Sequence, residues 1–549
     1  MKTIKYYTMI LVSACLLTFV VASCNKDIEM LEELKPLQPT DIDEDAENWA
    51  SVNNDATDVT LAKIITAAET APKIFDPASD LASVQNVESD AYKAELTAIV
   101  DLQKNLTGAQ KKAIEYWSAG GVMRWNQILR GLVAKYNLPP APKGDGSYPV
   151  PDAENPFGDP NFPFANPPYA SRSYAYVSVA QYEALKAAWH YMYVYERPSP
   201  FKVQNSGVKS LMPETDLPAY PSYDAVLSGV TAEVLKLMFP AALEEITLKA
   251  AEQRNAALWS GRATSSDIAK GLALGKSVAS LMANRARNDR MGTAGGNKAM
   301  WKALEDGAIA KQEVPWISLE TPKRPPMLPF FGLRDAASQE DNKGVKTWIM
   351  TKAEIIDNRP VPPSTSSNEM KDEVAEVKWY SENLTRERLA IVHKWADGVN
   401  THTPAGHWND IMTEYVRDAN WSEVRAARAY ALLNITMHEA AVACWDTKFY
   451  YFNPRPSQMD QNIKTGTGVP NFPAFTSGHS TFSGSAAAIL SYLFPADTDY
   501  FEAEAKEASY SRLYGGIHYR SDVEMGYDHG QVVGGFVRNF AENDGADGD

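Results

Sequence analysis

The sequence predicts an all-α protein made of two related helical bundles, with its chemistry in the C-terminal bundle. Apolar residues recur at three- and four-residue steps over long stretches, as at Leu61, Ile64, Ile65 and Ala68. That spacing places them on one face of an α-helix. Strand-type alternation of apolar and polar residues is nearly absent. Segments rich in Pro, Gly and Asn, which break regular structure, separate the helical stretches.

Length, composition and charge place the chain among globular proteins. It has 549 residues, of which 44% are hydrophobic and 22% charged. A chain of this length can bury a large core in more than one structural unit. The formal net charge is -16. Because basic residues are not spread widely enough to neutralise a phosphate backbone, we expect no nucleic-acid partner.

The N-terminus is predicted to be a targeting segment. Lys2 and Lys5 precede an apolar run from Met9 to Val21, which is short for a membrane-spanning helix. The run ends in Val21-Ala22-Ser23-Cys24, which resembles a bacterial lipoprotein signal. We therefore expect residues 1–23 to be removed and Cys24 to be lipidated. The protein would then be exported and membrane-anchored, at the outer membrane or facing the periplasm. The alternative is an ordinary secretory signal with an incidental cysteine.

The rest of the chain divides by composition into five parts. We predict an acidic tether at 24–56, an N-terminal helical half at 57–291 and a Pro- and Gly-rich connection at 292–370. The C-terminal half would span 371–540, followed by a frayed tail at 541–549.

Within the halves, periodicity predicts individual helical stretches. They cover residues 94–132, 176–195, 382–399, 422–451, 480–493 and 502–515. Residues 138–169 are crowded with Pro, Gly and Asn and are predicted to be an irregular surface excursion.

An internal repeat relates the two halves. The segment 217–240 aligns without gaps on 472–495 with nine identical positions, and Arg197-Pro198-Ser199 mirrors Arg455-Pro456-Ser457. The alternative is coincidence in an Ala-rich helical protein, which the shared order of both blocks disfavours. Tyr223-Asp224 stands where the second half has Gly478-His479. We therefore expect the chemistry in the second half alone.

Two cations lie at the end of the predicted helix 422–451. Lys448 and Arg455 are seven residues apart, and prolines flank Arg455. Such residues are usually solvated, but here the neighbouring residues, from Trp445 to Phe452, are largely aromatic. Cations embedded among aromatic side chains need an anionic partner.

The segment Thr476-Ser477-Gly478-His479 leads into the next predicted helix. Free backbone N–H groups and the helix dipole favour an anion at such a start. We expect Ser477 to donate its hydroxyl to the anion and Gly478 to allow close approach of the backbone, with His479 beside the ligand. The alternative is a plain helix N-cap with a nearby histidine.

A third segment supplies Ser511-Arg512, then His518 and Asp522. Arg512 can direct two donors at an oxyanion. If the stretch is helical, the Asp522 carboxylate can hold the Nδ1–H of His518 and leave Nε2 free to attack or to ligate. The three segments together predict a site for a tetrahedral oxyanion such as phosphate or vanadate.

These motifs resemble the three-part signature of vanadium-dependent haloperoxidases and of type 2 phosphatidic-acid-phosphatase-like acid phosphatases. The matching residues are Lys448-x6-Arg455-Pro456, Ser477-Gly478-His479 and Ser511-Arg512-x5-His518-x3-Asp522. The match covers residues 395–535 closely. Thr476 departs from the proline that commonly precedes Ser-Gly-His, which changes turn rigidity but no donor.

The resemblance implies roles for these residues. Lys448, Arg455, Ser477, Gly478 and Arg512 would form the oxyanion cradle. His479 would be the acid–base group, and His518, held by Asp522, either the vanadate ligand or the phosphoryl-accepting nucleophile. The cofactor would be vanadate in a haloperoxidase and none in a phosphatase.

Three features favour the haloperoxidase branch. Trp445 and Phe472 resemble the apolar halide-side residues of that family, although core packing would explain them equally well. The segments 404–408 and 426–448 resemble its bacterial members, and the two-half architecture agrees. His407, beside Trp408, is a candidate for the pocket mouth. The substrates would be hydrogen peroxide with iodide or bromide, alternatively a phosphomonoester, and a non-catalytic surface-binding lipoprotein is the third hypothesis.

Overall fold

The computed structural model describes residues 86–137, 167–294, 298–319 and 344–546, together with residues 323 and 326. Throughout these ranges the regular structure is helical and no strand occurs, so the all-α prediction is confirmed. None of the described helices is long and apolar enough to cross a bilayer. The predicted signal, Cys24, the tether and part of the connection lie outside the described residues.

The helices of the N-terminal half precede the connection. They are α1 (Asp90–Lys104), α2 (Gly108–Ser118), α3 (Gly121–Tyr136), α4 (Pro167–Tyr195), α5 (Tyr223–Met238), α6 (Leu243–Trp259) and α7 (Ser265–Arg287). Two more, α8 (Lys298–Ala310) and α9 (Lys352–Asp357), lie in the connection.

The remaining helices form the C-terminal half. They are α10 (Asn368–Glu382), α11 (Arg386–Lys394), α12 (Thr403–Ala419), α13 (Glu423–Tyr451), α14 (Pro456–Met459), α15 (Gly478–Leu493), α16 (Thr498–Tyr514) and α17 (Arg520–Ala541). The 29-residue helices α4 and α13 pack against each other between the two halves.

The element bounds agree with the predicted repeat. The starts of α5, α6 and α7 recur as the starts of α15, α16 and α17 at one constant offset of 255 residues (478 minus 223). Ser222 and Ser477 cap the first helix of each trio, since each side chain accepts a backbone N–H three residues on. The two trios of helices therefore share their helix spacing and the serine cap of their first helix.

Glycines bring the first and third helices of each trio into close contact. A Cβ on Gly275 would lie 2.2 Å from the Val226 carbonyl oxygen, and one on Gly530 would lie 2.3 Å from that of Thr481. Such separations are below any normal contact, so only glycine allows this approach. The close packing fixes the start of α15, where the predicted anion site lies.

Two of the predicted helical stretches are wrong in their extent. The stretch 94–132 is broken at Thr107, which forms a capping box with Gln110, and again at Gly120, whose φ is 106°. The stretch 382–399 instead comprises the end of α10, the helix α11 and a loop at 395–402. Asp397 and Asn400 take positive φ in that loop, which ends helical hydrogen bonding.

Candidate active site

Lys448 lies in the last turn of α13 and is fully buried. Its Nζ donates to the carbonyl oxygens of Pro473 and Ala474, at 3.0 and 2.9 Å, and to that of Thr476. None of these partners is a carboxylate. Burial therefore lowers the pKa of the lysine, and the neighbouring Arg455 lowers it further.

Arg455 follows α13 and caps the short helix α14. Its Nε donates to the Phe472 carbonyl at 2.9 Å, and Nη1 donates to the Ile517 carbonyl at 2.9 Å. Nη1 also lies 2.9 Å from His518 Nε2. Nη2 is buried and makes no hydrogen bond to any described residue. Burial lowers the pKa of Arg455 to about 10, so the guanidinium stays charged and carries one spare donor.

The start of α15 is positioned by Ser477. The Ser477 hydroxyl accepts from the Ser480 N–H at 3.3 Å, and the Ser477 N–H donates to the Asp522 carbonyl at 2.9 Å. The helix cap proposed as the plain alternative is thus present, and the hydroxyl proton is still available to a ligand. Gly478 packs on Trp445, where an added Cβ would lie 3.4 Å from the ring.

His518 precedes α17, and Asp522 lies in the first turn of that helix. The His518 Nδ1 is 2.8 Å from Asp522 Oδ2, which also accepts the Tyr519 N–H at 3.1 Å. The predicted carboxylate–imidazole pair is therefore present although His518 itself is not helical. The carboxylate assigns the proton to Nδ1, so Nε2 carries the lone pair. Nε2 was expected to be free, but it accepts from Arg455, because the main chain holds that guanidinium against the ring.

Burial lowers the pKa of His518 well below its ordinary value, and the charges of Arg455, Lys448 and Arg512 lower it further. The imidazole is consequently neutral at neutral pH and is available as a ligand or a nucleophile. His479 also contributes to this shift, so the two histidines share one electrostatic environment.

Arg512 lies in the last turn of α16 and is 2% exposed. Its Nε donates to Ser511 Oγ at 2.8 Å, and Nη2 donates to the Val392 carbonyl at 3.1 Å. Burial lowers its pKa to about 10, and the charge of Asp397 acts in the opposite direction. Arg512 also lowers the pKa of His479. The third predicted cation thus lies among the other predicted residues.

His479 occupies the first turn of α15, and its side chain is 16% exposed. The Trp395 backbone accepts a hydrogen bond from the ring. Nε2 makes no hydrogen bond within the described chain and lies 3.7 Å from Asp397 Oδ2. Burial and the Arg512 charge lower its pKa to about 3. The ring is therefore neutral and can accept a proton when an anion is bound nearby.

Trp445 and Phe472 form the apolar side of the site. Their ring centroids are 5.1 Å apart, and Lys448 Nζ lies 5.5 Å from the Trp445 ring and 5.1 Å from the Phe472 ring. The Arg455 guanidinium carbon is 5.0 Å from the Phe472 ring. Trp445 is fully buried and Phe472 is 7% exposed. The two residues belong to the core and also lie beside the cations, and their halide-side role stays a prediction.

Asp397 is a site residue that sequence reasoning missed. It lies in the loop 395–402, and its carboxylate faces His407 as well as His479. The Asp397-Gly398 dipeptide is a turn signal that could have ended the predicted helix. Nothing local in the sequence indicates that this loop meets the start of α15.

The other histidines predicted to be structural include His438 and His529, both buried.

The residues present fit a tetrahedral oxyanion. Lys448, Arg455 and Arg512 are buried, and burial lowers the pKa of each, which is the condition of cations without an anionic partner. The spare Nη2 of Arg455 and the N–H groups at the start of α15 are donors of the kind that oxyanions bind. Vanadate and phosphate share this geometry, so the cradle accommodates either.

Comparisons with solved structures found two bacterial enzymes among the similar chains. A solved structure described as a bacterial vanadium-dependent iodoperoxidase is 22% identical, with 68% of this chain and 91% of that chain covered and a TM-score of 0.48. A bacterial vanadium-dependent chloroperoxidase is 15% identical, with 72% and 96% covered and a TM-score of 0.45. No curated protein sequence matches the chain at a significant level.

The family comparison concerns the same part of the chain as the site. The model of the PAP2 superfamily matches residues 426–545, which contain all three predicted motifs. The matched region holds Lys448, His479 and His518.

Proposed function

We propose that the protein is a vanadium-dependent haloperoxidase that oxidises iodide or bromide with hydrogen peroxide. The observation that carries this proposal is the enclosure of the cradle. Lys448, Arg455, Arg512 and His518 are all at most 2% exposed, and the partly exposed His479 lies beside them. Peroxide and a halide ion are small enough for such a site, and the pair of Trp445 and Phe472 offers an apolar wall to a halide.

His518 Nε2 would be the vanadate ligand, with Asp522 holding the opposite nitrogen protonated. Lys448, Arg455 and Arg512, together with the Ser477 hydroxyl and the Gly478 N–H, would bind the oxygens. When bound, vanadate supplies a Lewis acid that activates peroxide for attack by halide without a change of oxidation state.

Side chains of the protein would neutralise charge, transfer protons and exclude water. The three cations neutralise the negative charge and polarise the oxygens toward attack. His479 Nε2 accepts a proton from incoming peroxide and returns it later, a role that suits a neutral imidazole facing Asp397. Trp445 and Phe472 exclude water from the halide side.

Acid phosphatase is the second candidate, favoured by the PAP2-superfamily match over residues 426–545. In this reaction His518 Nε2 attacks phosphorus in line and His479 protonates the departing alkoxide. The cradle stabilises the transferring phosphoryl group through the same cations. A non-catalytic surface-binding protein is the third candidate. Export and membrane anchoring through a lipid on Cys24 complete the proposal.

One experiment separates the candidates. Purified protein is incubated with and without orthovanadate, and peroxide-driven iodide and bromide oxidation is measured beside phosphomonoester hydrolysis. Activation by vanadate supports the haloperoxidase. Hydrolysis that vanadate only inhibits supports the phosphatase, and the absence of both activities would leave the binding protein. The His518→Ala variant is the control for each assay.

A further inference from the structure

A line of three ionisable side chains leads outward from the proposed site. Asp397 lies between two histidines: its Oδ2 is 3.7 Å from His479 Nε2, and its Oδ1 is 3.1 Å from His407 Nδ1. The carboxylate is buried, with a side-chain exposure of 5%. One carboxylate thus bridges the proposed acid–base group and a second imidazole that the cradle does not contain.

His407 forms the outer end of this line. Its side chain is 19% exposed and helps to line a cavity of about 460 Å³ between α12 and α16. The ring stacks on Trp395 at 4.1 Å with an interplanar angle of 19°. In contrast, His479 Nε2 is shielded from solvent. Solvent therefore reaches the line at His407 and not at the His479 nitrogen that faces Asp397.

Charged side chains of α12, α3 and the loop 395–402 lie around the outer end of this line. Asp410, Glu414 and Asp418 line the same cavity from α12, and Tyr500 lines it from α16. Asp397 faces Nδ1 from the loop. The ring centroid of His402 lies 6.1 Å away, and burial lowers the pKa of that imidazole. Arg130 of α3 pairs with Asp410. Three acidic side chains thus line the cavity from which His407 is reached.

We propose that His407 is a positioning residue that holds Asp397 against His479 and delivers protons to that pair from the cavity. The proposal rests on the proposed function, in which halide, hydrogen peroxide and one proton become hypohalous acid and water. Each turnover therefore consumes a proton inside a buried site. Because the shielded His479 nitrogen cannot collect it from bulk water, a connected acid on the outside completes the reaction.

The transfer balances at each atom. Cavity water protonates His407 Nε2 while the Nδ1 proton passes to Asp397. Asp397 Oδ2, which lies 3.2 Å from His407 Nδ1 and 3.7 Å from His479 Nε2, takes up that proton and gives it to His479 Nε2. Proton exchange with cavity water, in which Nε2 loses its proton and Nδ1 gains one, restores the starting tautomer.

The test compares His407→Asn with the wild type. Asparagine places an N–H near the position of Nδ1 and so keeps a donor to Asp397, but it cannot titrate. We expect kcat for halide oxidation to fall by about 10- to 100-fold, with KM for halide within about twofold. The loss should grow as the pH rises, since fewer protons are delivered without a relay. The exposed His393→Asn is the matched control and should behave as the wild type.

Chemical rescue separates proton delivery from a structural role. In His407→Ala, exogenous imidazole that enters the cavity should restore a large part of kcat. Failure of rescue in a folded variant, or an unchanged kcat and pH profile in His407→Asn, would overturn the proposal. His407→Gln serves if the alanine variant does not fold.

A readout without vanadate keeps this proposal apart from the proposed function. In protein labelled with ¹⁵N-histidine and free of vanadate, NMR should show His407 protonated at Nδ1. The His479 ring signals should shift in His407→Asn but not in His393→Asn. Unshifted His479 signals would count against the relay even in an active enzyme. If the NMR result holds and peroxide-driven oxidation is absent, the proposed function has failed instead.

Discussion

The two helical halves share a frame but treat one buried arginine differently. Arg197 of the N-terminal half corresponds to Arg455 of the C-terminal half, and Asp267 corresponds to Asp522. Arg197 Nη2 donates to Ser266 Oγ at 2.8 Å, while Nε lies 3.4 Å from Asp267 Oδ1. Glu95 of α1 approaches to 3.8 Å. In this half, carboxylates of the protein itself surround the guanidinium.

Among the described residues no carboxylate contacts Arg455 of the C-terminal half, which is held by main-chain carbonyl oxygens and His518. Four further positions also differ between the halves. At each of them the N-terminal residue lacks the group proposed to act in the C-terminal site. The pairs are Gly478 and Tyr223, His479 and Asp224, Arg512 and Ala257, and His518 and Ala263. The same helical arrangement can thus neutralise a buried arginine with carboxylates of the protein, or leave its charge available to a bound anion.

The largest effect should follow from removing the imidazole that the N-terminal half lacks. His518→Ala places alanine where Ala263 stands in the other half. We expect kcat/KM to fall by about 10³-fold or more in whichever activity is found, because both mechanisms require Nε2. The thermal midpoint should stay close to that of the wild type, measured by circular dichroism. Unchanged turnover in the folded variant would reject the assignment.

The matched aspartates should separate activity from stability. Asp522→Asn should lower kcat/KM by about 10- to 100-fold, since it removes the acceptor that fixes the His518 tautomer. Asp267→Asn should leave kcat unchanged. It should lower the free energy of unfolding by about 2 kcal/mol, because the buried positive charge of Arg197 then loses one of its two neighbouring carboxylates.

Both variants are compared by denaturant unfolding and by activity. The stability measurement is made near pH 8, because burial raises the pKa of Asp267 to about 6 and the carboxyl is then ionised. A loss of kcat in Asp267→Asn, in protein that remains folded, would contradict the prediction that Asp267 serves stability and Asp522 serves activity.

Lys448 is a second feature that separates the halves, because His190 stands seven residues before Arg197 where Lys448 stands seven residues before Arg455. Burial lowers the pKa of Lys448, and a bound oxyanion raises it again. Oxyanion binding therefore takes up a proton above the lowered pKa, and affinity should fall by up to about tenfold per pH unit as the pH rises. Lys448→Arg stays charged and should show a shallower slope. Phosphate and vanadate titrations of both proteins across pH 6 to 9 measure the difference, and equal slopes would exclude this role for the lysine.

The smallest effect is expected at Gly478, where the N-terminal half has Tyr223. An added methyl group would lie 3.4 Å from Trp445, an ordinary contact. Gly478→Ala should therefore raise the free energy of unfolding by up to about 1 kcal/mol through helix propensity. It should also weaken oxyanion binding, because the backbone N–H can no longer be approached as closely. Isothermal titration and thermal unfolding record the two opposite changes; a gain in both would place the anion away from this residue.

The sequence by itself determined the all-α class and the repeat, and it selected the residues proposed for the cradle. These follow from short-range patterns: helical periodicity, the Ser477 cap, and the spacing from His518 to Asp522, which survives although His518 lies outside the helix. Each pattern needs only a few neighbouring residues to act.

Only the tertiary structure decided which distant groups meet. It placed Asp397 beside His479 and the Arg455 guanidinium against His518 Nε2. In the N-terminal half it placed the carboxylates of Glu95 and Asp267 beside Arg197. No local pattern encodes these contacts, because each depends on how a loop or helix from elsewhere in the chain packs onto the start of another helix. Periodicity fixes the face that a helix buries, whereas the partner of that face is set by the packing of the whole core.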